Sequence, residues 1–217
     1  MKYVLIAGVI ALAGIAAALY FLSGSDESKN AIDTSTTPIS VGTNTQTAPS
    51  ANVNPFNALA GIRKTKAPWP PEYANLSDRL EPLKLTALTQ EELAFHIHQH
   101  LDVFANGKLV PGGVPGLIGV NDDSYITELH THAEDGIIHV ESATERDYTL
   151  GEFFGEWGVY LDSKCVGAYC GGVTVYVNGK KDSGPPQDLV LKEHQQITVV
   201  AGKPPAEIPA KYPSNGP

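Results

Sequence analysis

The sequence predicts an α+β fold, mostly antiparallel β hairpins with one packed helix in the manner of a β-grasp, preceded by a transmembrane helix and a disordered linker. Three observations carry this reading. Two segments, LDVFANGK at 101–108 and VTVYVNGK at 173–180, run an alternating pattern into Asn-Gly, the strongest short hairpin signal. One stretch, YTLGEFFGEWG, places Thr149 and Glu152 in capping-box relation and repeats Leu150, Phe153, Phe154 and Trp157 at helical spacing. The third observation is an apolar N-terminus followed by a polar, low-complexity run.

At the N-terminus, Lys2 precedes twenty residues without a charge, Tyr3 to Leu22. As a helix they would span about 30 Å, the thickness of a bilayer's hydrocarbon core. That is longer than the apolar region of a cleaved signal, and SGSDES follows without a small-residue cleavage site. The expectation is an uncleaved anchor over residues 1–22, with Lys2 inside and everything after it outside the cytoplasm. Residues 23–67 are rich in Ser, Thr, Asn and Ala, with too few large apolar side chains to offset the entropy of ordering, and read as a flexible linker. The cluster APWPPEY marks the start of an extracytoplasmic domain at 68–202, and 203–217 is a Pro-rich tail. Asn75-Leu76-Ser77 matches the glycosylation acceptor pattern.

Composition narrows the chemistry. The formal net charge of -9 over 217 residues supplies no basic stripe, which excludes nucleic acid as a partner and suits cations. The initiator is the only methionine, which argues against a Met-rich copper relay and against a blue-copper site with axial methionine. The sequence contains no nucleophile elbow, P-loop or dinucleotide fingerprint.

Six of the seven histidines fall in two places. In FHIHQHLDVF, strand alternation puts His96, His98, His100 and Asp102 on one face and Phe95, Ile97, Leu101 and Val103 on the other. ITELHTHAEDGIIHVES reads as a hairpin turning at Asp135-Gly136. With a two-residue turn, His132 would face His139 and His130 would face Glu141, with side chains about 5 Å apart at Cβ. Glu128, His130, His132, His139 and Glu141 then share a face. Leu129, Thr131, Ile138 and Val140 share the other.

Imidazole-rich arrays suit zinc, copper(II) and nickel(II). His96, His98, His100, His130, His132, His139 and Glu141 are therefore the predicted metal site, with zinc or copper as the cofactor. His194, in the turn-like KEHQQ, reads as a surface residue. DLVLKEHQQITVVAG supplies two further strand-like arms. Cys165 and Cys170 enclose four residues, and outside the cytoplasm a short-loop disulfide is the default, with thiolate ligation of a metal as the alternative.

The blocks HIHQHLDVFANGK, LHTH, GIIHVES, YTLGEFFGEWGV and CVGAYC, in this order over roughly residues 68 to 202, resemble one family of membrane-anchored or secreted prokaryotic proteins. That family has no established activity, so the resemblance implies a location and no catalytic roles. The residues themselves point first to a membrane-tethered extracytoplasmic protein that captures, buffers or delivers zinc or copper. Two alternatives are a histidine-ligated metalloenzyme, in which Glu141 or Glu128 works on a zinc-bound water, and a structural or adhesion module. No protein partner can be named from the sequence.

Overall fold

The computed structural model describes residues 54–121 and 124–217. Two α-helices and twelve strands follow one another in these segments. Helix α1 (Leu76–Leu83) comes first, then β1 (Ala87–Leu88), β2 (Phe95–Ala105), β3 (Lys108–Leu109), β4 (Val120–Asn121), β5 (Tyr125–Thr127), β6 (Leu129–His130) and β7 (Ile137–Ser142). Helix α2 (Leu150–Trp157) is followed by β8 (Cys165–Val166), β9 (Tyr169–Cys170), β10 (Val173–Val177), β11 (Lys180–Lys181) and β12 (Gln195–Ala201).

The main sheet has the order β11-β10-β12-β2-β7-β6, with β3 added to β2. Both Asn-Gly turns form as predicted. Asn106 and Gly107 have φ of 50° and 83°, Asn178 and Gly179 have 50° and 77°, and the flanking pairs are Ala105 with Lys108 and Val177 with Lys180. Positive φ at both central residues is the twist that a two-residue hairpin requires.

Three expectations about the fold are corrected. The transmembrane helix expected at Tyr3–Leu22 lies outside the described residues, and among those described no helix is long and apolar enough to cross a membrane. The described residues form a mostly β-sheet α+β domain. Two helices pack here rather than one, and the mostly antiparallel sheet includes one parallel pair, β12 running beside β2 from Gln195 opposite Gln99 to Ala201 opposite Ala105. The first arm of DLVLKEHQQITVVAG is only an isolated bridge of Val190 to Thr149, because Pro185 and Pro186 lead into a 3-10 turn over Pro186–Asp188 instead of a strand.

The apolar face of β2 behaves as its alternation demands, with Leu101 and Val103 at 1% and 0% exposure. Against the sheet lies α2, capped by Thr149 and Glu152 in a reciprocal capping box and ended by Gly158 in the left-handed conformation. Every residue of α2 is buried. Helix α1 comes close enough that a Cβ on Gly155 would stand 2.7 Å from Leu83 Cδ2, so that glycine sets the helix–helix distance. Trp157 meets Trp69 edge to face at 5.6 Å and donates its indole N–H to the Trp69 carbonyl at 2.9 Å. Order begins before the Pro cluster: Asn57 exchanges two hydrogen bonds with the Leu161 backbone, and Arg63 donates to the carbonyls of Trp157 and Gly158.

Candidate metal centre

Strand pairing brings the two histidine blocks onto one face. Strand β7 lies between β2 and β6, and directly opposed residues of neighbouring strands point to the same side. His98 pairs with His139, which pairs with His130 on its other edge, giving three imidazoles in a row across three strands. In the next row His96 pairs with Glu141. Ring centroids along the first row are 4.6 Å apart for His98 and His139 and 5.2 Å for His139 and His130.

The hairpin register differs from the two-residue turn expected. His139 faces His130, not His132. The cause is Thr131, which leaves β7 to bind the 115–118 segment: its N–H donates to Ile118 O at 3.1 Å, its carbonyl accepts from Leu117 N at 2.7 Å, and its hydroxyl donates to Pro115 O at 2.8 Å. Residues 131–136 thereby become the loop, closed by Asp135 Oδ1 accepting from Ile137 N at 3.0 Å. The shift is by two residues, so it preserves which side chains share a face. His132 leaves the ladder but still reaches back, its ring 4.5 Å from that of His139.

Two overlapping groups result, each able to hold a metal ion: His96, His98, His139 and Glu141, and His130, His132, His139 and Glu141, each group's ligand atoms all within 4.8 Å of one another. Glu141 is the hub. Its Oε1 lies 3.0 Å from His96 Nε2, 3.4 Å from His139 Nδ1 and 3.8 Å from His130 Nε2. His96 Nε2 and His98 Nε2 are 3.0 Å apart, His130 Nε2 and His132 Nε2 3.2 Å. Buried polar atoms are normally paired, yet Glu141 Oε2 and His139 Nδ1 are buried without a hydrogen bond.

His100 stays outside both groups. The residue opposite it on β7 is Ile137, so it has no ligand across the ladder. It lies 3.7 Å from Asp102 and lines a separate cavity of about 140 Å³ with Asp102 and Glu134. Glu128, opposite Glu141 by backbone contact, turns its carboxylate to accept the Thr86 N–H at 3.1 Å.

Burial favours neutral imidazoles. It pushes His130 and His139 down to about 3, with the neighbouring histidines adding to the effect, and lowers His98 for the same first reason. Glu141 is raised, chiefly by burial and then by Glu91. His130 also has a fixed tautomer: the Thr127 carbonyl, 2.8 Å from Nδ1, can only accept, so the proton sits on Nδ1 and the Nε2 lone pair faces Glu141 and His132.

Thr127 is itself held from α2. Its hydroxyl is surrounded by Leu129 O at 2.6 Å, Gly119 O at 3.2 Å and Glu156 Oε1. One hydroxyl proton cannot serve three acceptors. Burial pushes the Glu156 carboxyl up to about 8, so at neutral pH it is protonated and donates to Thr127 Oγ1, which in turn donates to Leu129 O. Gly119, at φ 71°, permits this packing, because a Cβ there would collide with Thr127 Oγ1 and Leu129 O.

Sequence reasoning missed Thr127, Glu156, Glu91 and Glu193. Glu91 Oε1 is 3.4 Å from His132 Nε2, and Glu193 Oε2 accepts the His98 backbone N–H at 2.9 Å. Glu156, Glu91 and Glu193 depend on tertiary approaches that no local pattern signals, whereas Thr127 lies only three residues from His130. The disulfide of Cys165 and Cys170 is present, closing the two-stranded β8–β9 hairpin. No family model, curated protein or solved structure matches the chain.

Proposed function

We propose that this domain is an extracytoplasmic metal-binding protein that captures, buffers or delivers a zinc or copper ion on the face of β2, β6 and β7. The observation that carries the reading is the convergence of three imidazole nitrogens on Glu141 Oε1 at 3.0, 3.4 and 3.8 Å, beside two buried polar atoms without hydrogen bonds. Two nitrogens bound to one tetrahedral zinc at about 2.0–2.1 Å stand about 3.3 Å apart. The 3.0–3.2 Å separations in the two Nε2 pairs need little adjustment to meet that geometry. Imidazole with one carboxylate suits zinc or copper(II) rather than the hard ions. Location outside the cytoplasm is supported by the Cys165–Cys170 disulfide.

A zinc hydrolase or hydratase is the second reading, favoured by the buried Glu141 carboxyl, whose raised affinity for protons suits a group that takes one from a bound water. Binding is preferred because three cavities of about 390 to 520 Å³ lie away from Glu141, lined by the β10–β11 hairpin and residues 183–186, by Phe56, Arg146 and Gln187, and by Trp69, Tyr73 and Leu117. Metal analysis of the protein purified without a histidine tag, followed by zinc and copper titration at neutral pH, tests the reading. At least one tightly held ion per chain is expected, with His132→Ala weakening binding far more than His194→Ala. A parent protein that binds neither ion, or equal losses in the two variants, would overturn it.

A further inference from the structure

A third group of potential ligands joins the centre from outside. His98, Glu193 and His194 bring their ligand atoms within 4.8 Å of one another, although the last two belong to the turn before β12. The parallel pairing of β12 with β2 is what delivers them: the His194 N–H donates to His98 O at 2.7 Å, and Glu193 Oε2 accepts the His98 N–H at 2.9 Å. His194 holds the left-handed conformation at φ 55°, which glycine or asparagine would adopt at less cost. Its Nε2 lies 2.7 Å from Glu193 Oε1 and 3.2 Å from Pro217 O.

The three groups overlap in sequence. His194 and Glu193 are about half exposed, and His98 is 9% exposed. His98 belongs also to the group of His96, His139 and Glu141, which in turn shares His139 and Glu141 with the group of His130 and His132. Consecutive sets thus share at least one ligand from the surface to the buried Glu141 and His130. An ion that exchanges one ligand at a time along such a series is never released to water between sets, so each step replaces one metal–ligand bond with another at small net cost.

Resting on the metal-binding reading above, we infer that Glu193 and His194 form an entry port for a divalent transition ion, and that His98 passes the ion inward to the His139–Glu141 centre. A port on the path lowers the barrier in both directions and leaves the end states alone. Its loss therefore slows association and dissociation by the same factor.

The test is stopped-flow loading of the purified full chain with zinc alone, read by competition with a chromophoric chelator, together with chelator-driven release. His194→Ala, which removes a ligand without changing formal charge, and Glu193→Gln, which keeps an acceptor for the His98 N–H, are compared with the parent and with His139→Ala. Each port variant is expected to slow loading and release about tenfold while its Kd stays within about twofold of the parent. His139→Ala is expected to lose affinity. Parent-like loading rates in both port variants overturn the port and leave the metal centre standing. Loss of affinity equal to that of His139→Ala overturns the port by making His194 part of the final site. A parent that takes up no zinc overturns both readings.

Discussion

The two wings of the centre are built differently. On one side of His139 and Glu141 stand His130 and His132, on the other His96 and His98. His130 is fully buried, its tautomer set by Thr127, and Thr127 is fixed by Glu156 from α2. His96 is one-third exposed, and its wing opens through His98 toward the surface pair of Glu193 and His194. Outer-shell hydrogen bonds preorganise a ligand and raise its basicity, whereas an exposed ligand without them exchanges more readily. On the metal-binding reading the contrast assigns holding to His130 and exchange to the more open ligands: His96, with its route through His98, and His132, which is 44% exposed beside Glu91.

The largest effect is expected at the residues both wings share. His139→Ala removes a ligand from each group and should weaken zinc binding by more than about 100-fold, beyond the 10- to 100-fold usual for an outer-shell partner. Equilibrium titration with chelator competition measures this. Next, His130→Ala should cost more affinity than His96→Ala, since the first removes the preorganised ligand. Equal losses would dissolve the distinction between the wings.

A subtler break acts through Thr127. Thr127→Val keeps shape and removes the hydroxyl, leaving Glu156 without its acceptor and the turn that holds the Thr127 carbonyl less constrained. The expected loss is about tenfold in zinc affinity, with rescue by Thr127→Ser and no comparable effect of His96 substitutions on that rescue. Nitrogen NMR of the His130 ring gives a readout that mere destabilisation would not move: the Nδ1-protonated tautomer should lose population in Thr127→Val.

Much of this face was legible because strand alternation is a local property. The parity of His96, His98, His130, His132, His139 and Glu141 survives any register shift by two, so these residues share a face even though the two-residue turn expected at Asp135-Gly136 is a six-residue loop over 131–136. The register itself was not legible, since it depends on Thr131 finding Ile118 and Pro115 thirteen or more residues away in sequence. The same holds for His100, excluded by the accident of Ile137 opposite it, and for the parallel approach of β12 that carries Glu193 to His98. Helix α2 was legible to its caps because the capping box and its terminal glycine are both local.

Acid should separate the wings further. For His130 and His139 the folded pKa is depressed to about 3, below the ordinary 6.5, so the folded state binds fewer protons than the unfolded one in that window. Their contribution to stability is full above about pH 6.5 and is lost as pH falls toward 3. Glu156 acts in the opposite sense: with a folded value of about 8, its contribution is full below about 4.5 and is lost as pH rises through 8. Denaturant melts of the metal-free protein should show His130→Gln flattening the acid decline and Glu156→Gln flattening the alkaline one. A His96→Gln variant that flattens the acid decline as much as His130→Gln would count against the contrast.

The smallest expected effect on binding comes from the disulfide, which serves as the control for all the others. Cys165 and Cys170 pair within the β8–β9 hairpin, and that hairpin is a sheet of its own, separate from the one that carries β2, β6 and β7. A loop this short gains little from cross-linking, because the unfolded chain already keeps its ends near one another. Loop-closure entropy gives a stabilisation on the order of 2 kcal/mol. The Cys165→Ser, Cys170→Ser double variant should therefore lose about that much stability in a denaturant melt. Its zinc affinity should stay within about twofold of the parent, because sites without shared contacts add independently. An affinity loss as large as that of Thr127→Val would mean that general loosening of the domain, rather than the bracing of His130, sets the difference between the wings.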